Sequence, residues 1–559
     1  MVLWLFCAAY VLPGFIGRAP WKTADMTSFG YMAEMAAGTS DWLRPRLLSL
    51  PPDIDALLPY WLGAAAMKLA PAFVSPDLIV RSVFALLLAL TLGATWYAVY
   101  FLARSPRAQP VAFAFGGEAQ PADYARAMAD GGLLALMACL GMAQLSHETT
   151  PALAQLCFTA VSFYALAAMP YRTWGPALGL ALGLPALALS GAPSMAVLLG
   201  LGGALVCFLD RHEEHGLTGL EAVHHKPTRS LAWTGFVLAC TVLAAGLAEQ
   251  LSLWRWRIEL PQATWHDWRS LARLLLWFTW PVWPLALWTL WRWRRQLTSG
   301  NFGRHLALAL WFVGVALGTT LTTHSADRSL LLALPALATL AAFALPTLSR
   351  TVAALIDWFT LLFFTACAIA IWVIWIATQT GFPRQPAANV ARLAPGYEPS
   401  FSWLALVLAA VATLGWAWLV KWRAGRHRAA IWKSLVLPAG GVALCWLLMM
   451  TLWLPLLEWG RSYVPLVRSV QNVMAADRQA GCVEVYGLNR GQIAAFKYHG
   501  QMQLQWARHE ASCPWLIVDT DDQHTLPRDV DLGAWSLRLS LRRRAETNDD
   551  VLLYKRIQR

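Results

Sequence analysis

The sequence predicts an all-α, polytopic membrane protein of about thirteen transmembrane helices, with interfacial helices in its first outer loop and a small α/β domain at its C-terminal end. Three observations predict it. Of 559 residues, 58% are hydrophobic and only 14% are charged, well below the ~25% charge of an ordinary soluble domain. The apolar residues gather in runs of roughly 20, the length that crosses a bilayer as a helix. Beyond about residue 456 the charge rises and the apolar runs shorten to strand length,.

The apolar runs fall at residues 2–17, 77–103, 129–146, 151–169, 172–190, 192–209, 230–249, 270–291, 305–322, 329–348, 351–378, 402–420 and 435–455. The first is short, but it lacks a basic leader and a small-residue cleavage site, so it reads as a retained helix rather than a signal peptide. A net charge of +12 could serve nucleic acid, but no nucleic-acid motif accompanies it. The basic residues sit instead between the apolar runs. Residues 292–305 (RWRRQLTSGNFGRH) and 421–434 (KWRAGRHRAAIWKS) are rich in Arg and Lys and free of acids, which marks their side as cytoplasmic. With thirteen spans the N-terminus is cytoplasmic, while loop 18–76 and everything after 456 lie outside, in the periplasm of a Gram-negative cell. The expected division is a membrane domain over 1–455 and a periplasmic α/β domain over 456–559.

In the tail, CVEVYGL (482–488), QMQLQWA (501–507), WLIVDT (515–520) and DVLLYKRI (550–557) read as strands, with GQIAAFKYH (491–499) helical between the first two,. Seven of the nine cysteines lie in apolar runs as small buried hydrophobes,. Cys482 and Cys513 lie in the tail, where an oxidising compartment permits a disulfide; the other reading is two free thiols.

Loop 18–76 is too long for a simple connector. Its segment DMTSFGYMAEMAAG has apolar residues at 26, 29, 32, 35 and 36, the spacing of a helix lying in the membrane interface. A second such segment runs over 57–73. Trp21, Trp42, Tyr60 and Trp61 suit the headgroup level.

Pro20, Trp21, Lys22 and Asp25, then Asp41, Trp42 and Pro45, then Tyr60 and Trp61, resemble the first outer loop of GT-C membrane glycosyltransferases, above all the bacterial aminoarabinose transferase and protein O-mannosyltransferase group. The resemblance implies a GT-C-like fold and an enzyme that moves a sugar from a polyprenyl phosphate or diphosphate to an acceptor hydroxyl at the outer face of the inner membrane. It implies inversion at the sugar carbon, and partners that are a polyprenyl-linked donor, membrane lipid, and a lipid, glycan or protein acceptor. A hydroxyl nucleophile needs a carboxylate to take its proton, and Asp25 matches the family's acidic residue; its other reading is a helix cap. This sequence departs from the family pattern at three places. Met26 replaces a glutamate, Asp55 falls where a lysine is usual, and SHETTPALAQ offers His147 and Glu148 with Ala152 in place of an aspartate. Glu148 is thus a second catalytic candidate, or a carboxylate at a helix end.

A departing phosphate needs cations. Arg44, Arg46, Arg255, Arg257, Arg269 and Arg328 are the outer-loop candidates, with His266 and His324 near them, since guanidinium binds phosphate bidentately. The alternative for each arginine is snorkelling toward anionic lipid. His212, His215, His224 and His225, with Glu213 and Glu214, fit no zinc spacing and read as a solvated inner loop; no metal or other cofactor is assigned. Two rival readings are a non-catalytic relative that binds lipid-linked sugar or assists a partner enzyme, and a transporter. Few charges lie inside the spans (Asp357 is one), which argues against ion-coupled transport.

Overall fold

A computed structural model of the chain describes residues 2–71, 73–108, 120–213, 227–254, 264–298, 303–323, 326–425, 431–477, 481–541 and 550–557. Among the described residues, seven helices are long and apolar enough to cross a bilayer alone: Pro76–Ala103, Pro151–Ala168, Ser230–Gln250, Arg304–Leu321, Arg350–Thr380, Trp403–Arg423 and Ile431–Leu452. The pair Trp265–Phe278 and Val282–Arg292 is together long and apolar enough for an eighth crossing or a re-entrant loop, and is bent by 86° beside Pro281, which has no N–H to continue a helix. The helices Trp174–Leu189, Pro193–Leu209 and Leu334–Thr347 are apolar but shorter. The protein is a multi-pass membrane protein.

Burial sorts the helices into a core and a lipid face. Pro151–Ala168 and Val436–Leu452 are buried along most of their length. Arg350–Thr380 and Trp403–Ala424 turn Leu355, Trp358, Leu362, Leu404, Leu414 and Trp418 outward, as helices apolar all round do when their solvent is lipid.

Three further apolar runs differ from a simple span. The first is helical only over Val2–Val11, ten residues or ~15 Å, about half the hydrocarbon thickness. It ends in a turn at Gly14, whose φ of +109° and approach to Trp446 and His147 (2.5 and 2.8 Å from an added Cβ) admit no side chain,. The run at 129–146 is the end of a helix over Pro121–Ala138, a break, and one turn over Met142–Leu145. The run at 329–348 is broken between Ala326–Leu331 and Leu334–Ala344.

Loop one holds the helices Lys22–Ala37 and Leu58–Leu69. The first does not spread an apolar face on lipid. Met26, Phe29, Met32 and Met35 are buried in protein, because Leu58–Leu69 covers one side and the helix Arg490–Tyr498 of the tail covers another. Gly30 lies against Ala494 and Gly63 against Met32, both closer than a Cβ would allow. Trp21 and Tyr60, expected at the headgroup level, are each 2% exposed.

The tail forms a five-stranded sheet: β1 Val483–Tyr486, β2 Leu504–Trp506, β3 Trp515–Asp519, β4 Trp535–Leu541 and β5 Val551–Arg556. Its order is β2-β1-β3-β5-β4. β1 is parallel to β2 and β3, while β3–β5 and β5–β4 are antiparallel. The helix Arg490–Tyr498 is the crossover that parallel β1 and β2 require. Cys482 and Cys513, at the entrances of the paired strands β1 and β3, are disulfide-bonded with their Cα atoms 5.2 Å apart.

Candidate functional site

The PWK turn of loop one is fastened to the segment just after the last membrane helix. Glu458, on the helix Leu454–Arg461, accepts from the Ala19 N–H at 3.2 Å and from Trp21 Nε1 at 2.6 Å. Trp21 pairs with Ser462 in an isolated antiparallel bridge, and the guanidinium of Arg18 lies 4.6 Å from its ring centre. Lys22 then enters the helix with φ +53°, in the left-handed region a lysine rarely adopts.

Asp25 is wholly buried and both of its oxygens are engaged. Oδ2 accepts from the Trp21 N–H (3.0 Å), reaching back to the helix start as the acid of a capping box does,. Oδ1 accepts from the N–H and the hydroxyl of Thr149 at 2.8 and 2.6 Å. Arg18 Nη2 stands 3.7 Å from Oδ2 and also donates to the His147 carbonyl. One carboxylate thereby joins loop one to the short loop 146–150.

Glu148, in that short loop, is 2% exposed. Its Oε2 meets Arg328 at 3.2 Å. Its Oε1 has no hydrogen-bond partner among the described residues, and neither has Thr150 Oγ1, two residues on. Burial pushes the Glu148 pKa up; Arg328 pulls against it, the charge of Asp25 adds to it, and Lys22 opposes it. A carboxyl with one free oxygen and a raised pKa is equipped to exchange a proton. His147 locks the loop to the first helix, with Nδ1 2.5 Å from the Ala143 carbonyl and Nε2 3.1 Å from that of Tyr10. Burial holds its pKa down to about 3.

The arrangement is a buried pair of carboxylates among Arg18, Lys22 and Arg328. The chain has the fold of ArnT. Solved structures of ArnT from Cupriavidus metallidurans match it with a TM-score of 0.60 at 14% sequence identity. The form bound to undecaprenyl phosphate covers 99% of this chain and 98% of its own; the apo form covers 99% and 97%. No family model and no curated protein matches the sequence. The resemblance of loop one to the aminoarabinose transferases is therefore accompanied by the fold of ArnT along nearly the whole chain.

Within the ArnT fold, the residues singled out in the sequence part company. Trp21, Lys22, Asp25, Glu148 and Arg328 come together. Arg44 and Arg46 are exposed, and Arg46 donates to the Ser49 carbonyl within its own loop. Arg269 is exposed on the helix Trp265–Phe278. Arg255, Arg257 and His324 lie outside the described residues, as do His215, His224 and His225 of the inner cluster. Asp41 is exposed and accepts from the Leu43 N–H. Trp42 and Trp61 knit loop one together, Trp61 Nε1 donating to the Trp42 carbonyl at 2.7 Å, and Tyr60 packs on Tyr31. Among the described residues none of these four hydrogen-bonds to Asp25 or Glu148. Among the described residues no group of three or more His, Cys, Asp or Glu could hold a metal.

Sequence reasoning missed Arg18 and Glu458. Arg18 lies two residues before the PWK motif, so proximity alone could have flagged it. Glu458 lies more than four hundred residues away, and no local pattern marks it.

Proposed function

We propose that the protein is a GT-C glycosyltransferase that moves a sugar from a polyprenyl phosphate or diphosphate to an acceptor hydroxyl at the outer face of the inner membrane. The observation that carries this reading is the buried Glu148–Arg328 pair, with Glu148 Oε1 lacking a hydrogen-bond partner among the described residues, set beside Asp25 in a chain with the ArnT fold. Supporting it, the ArnT of matching fold was solved with undecaprenyl phosphate bound.

Glu148 Oε1 takes the proton of the acceptor hydroxyl as that oxygen attacks the anomeric carbon of the sugar. The sugar–phosphate bond breaks on the opposite face, inverting the centre, and the carrier leaves as its phosphate. Arg328, Arg18 and Lys22 supply positive charge where the leaving group gains negative charge. Asp25 is expected from the motif to be the base. Its engaged oxygens favour a positioning role instead, holding Thr149 and with it the loop that carries Glu148. The first 455 residues form the transferase domain, and the periplasmic domain 456–559 closes over loop one and contributes to acceptor choice.

The test is label transfer by the full chain in lipid, with radiolabelled polyprenyl-phosphate sugars and an envelope acceptor. Wild type transfers label and Glu148→Gln does not. A second reading is a non-catalytic relative that binds lipid-linked sugar; Met26 and Asp55 in place of the family's glutamate and lysine favour it. Donor binding with no transfer from any sugar of a broad panel would establish that second reading instead.

A further inference from the structure

A covered lysine lies at the membrane face opposite loop one. Lys433 belongs to the short helical turn Ile431–Leu435, which leads into the helix Val436–Leu452, 17 residues or ~25 Å long,. Glu458 and the PWK turn lie beyond the other end of that helix, so Lys433 is remote from the paired carboxylates. Lys433 is 8% exposed, and its Nζ stands 5.5 Å from the ring centre of Trp422, within the ~6 Å reach of a cation–π contact. Trp422 is stacked on Trp432, with ring centres 6.1 Å apart and planes 8° apart. Trp432 in turn packs toward Gly131 of the helix Pro121–Ala138, 3.8 Å from an added Cβ.

The charge of this lysine is not balanced by protein. Residues 421–435 contain no acid, and among the described residues no carboxylate pairs with Lys433. The charged group within electrostatic reach of it is another cation, Arg423, whose own partner is Asp357 of the helix Arg350–Thr380. A lysine that only snorkels holds its ammonium out in water; this one is covered and rests on an indole. A buried ammonium with no counter-charge is costly to maintain, so the site favours an anion. The surroundings select which kind. Leu404, Val411, Leu414 and Trp418 of the helix Trp403–Ala424 are exposed on the lipid face, and Trp418 is one turn from Trp422. The apolar face therefore runs up to the cation, an arrangement that suits a molecule with acyl chains on one side and a phosphate on the other.

We propose that Lys433, set on the Trp422–Trp432 stack, binds the phosphate of an anionic phospholipid in the leaflet opposite loop one, with the acyl chains laid along the lipid face of Trp403–Ala424. The proposed sugar transfer uses none of these residues, and the site does not depend on it.

The experiment is native mass spectrometry of the full chain in detergent, titrated with dioleoyl phosphatidylglycerol or with dioleoyl phosphatidylcholine, which has the same chains and no net charge. Other basic loops also attract an anionic lipid, so the comparison of variants carries the test. Lys433→Met is expected to weaken phosphatidylglycerol binding at the tightest site about fivefold, the worth of one basic residue at a lipid surface. Phosphatidylcholine binding should stay as in wild type, and Lys433→Arg should keep the wild-type preference. A phosphatidylglycerol affinity unchanged within about twofold in Lys433→Met would overturn the site. Displacement of the bound lipid by soluble glycerol phosphate would overturn the lipid as its occupant. Should neither Lys433→Met nor Lys433→Gln fold, acetylation of Lys433 in the wild-type chain decides: slower reaction in phosphatidylglycerol than in phosphatidylcholine nanodiscs supports the site, and equal rates overturn it. Selective lipid binding by a chain that transfers no sugar would remove the proposed function and leave this site intact.

Discussion

Asp25→Asn and Glu148→Gln separate holding from chemistry at the paired carboxylates. Each exchange keeps the shape and removes one charge. At Asp25 the charge has no exposed surface, accepts three hydrogen bonds and faces a buried Arg18. The asparagine turns one oxygen into a donor that must face the Trp21 N–H or the Thr149 donors, and it leaves the Arg18 charge uncompensated. One charge-assisted bond is worth about 1.5–3 kcal/mol, and breaking a buried pair from one side costs about 3–5 kcal/mol. The two overlap, so the expected loss of stability is about 3–5 kcal/mol. At Glu148 the partner Arg328 is 23% exposed, Oε1 has no hydrogen-bond partner among the described residues, and burial already disfavours the charged form, so neutralising it costs less, about 1–2 kcal/mol. Denaturant unfolding in a fixed lipid–detergent mixture measures both, and label transfer is measured on the folded fraction of each. The expected outcome is a large stability loss for Asp25→Asn and a small one for Glu148→Gln, with turnover abolished in Glu148→Gln. Wild-type stability with abolished turnover in Asp25→Asn, together with turnover retained in Glu148→Gln, would refute the reasoning and make Asp25 the base.

Further outcomes are expected elsewhere in the molecule. The Glu148 pKa is raised above its ordinary 4.5, and the base works deprotonated, so kcat/KM should fall on the acid side at a pH above 4.5; Arg328→Gln removes an opposing charge and should move that limb higher still. Replacing Cys482 and Cys513 by serine frees a loop closed over 31 residues and should cost the C-terminal domain about 4 kcal/mol, seen as earlier proteolysis of the tail. Gly14→Ala puts a Cβ 2.5 Å from Trp446 at φ +109° and should cost about 2–4 kcal/mol in thermal unfolding.

The sequence by itself determined the membrane class, because a 20-residue apolar helix must be written locally and contiguously for lipid to accept it. It also determined four strands and the crossover helix of the tail. It did not reveal β4, whose alternating Trp535–Leu541 carries an arginine on its exposed face. Periodicity marked helical segments at 25–38 and 57–73, found as Lys22–Ala37 and Leu58–Leu69, but misread the first one's surroundings, since an apolar face looks the same whether it meets lipid or protein. Only the tertiary structure decided that this face meets Arg490–Tyr498, that Trp21 is clasped by Glu458, and that Arg328 rather than Arg44, Arg46 or Arg269 reaches a carboxylate. It also exchanged the expected emphasis within the pair, leaving Asp25 satisfied and Glu148 with an open oxygen. A charge in a sequence has no partners until the chain folds, and partners separated by hundreds of residues decide whether that charge holds the fold or remains available for chemistry.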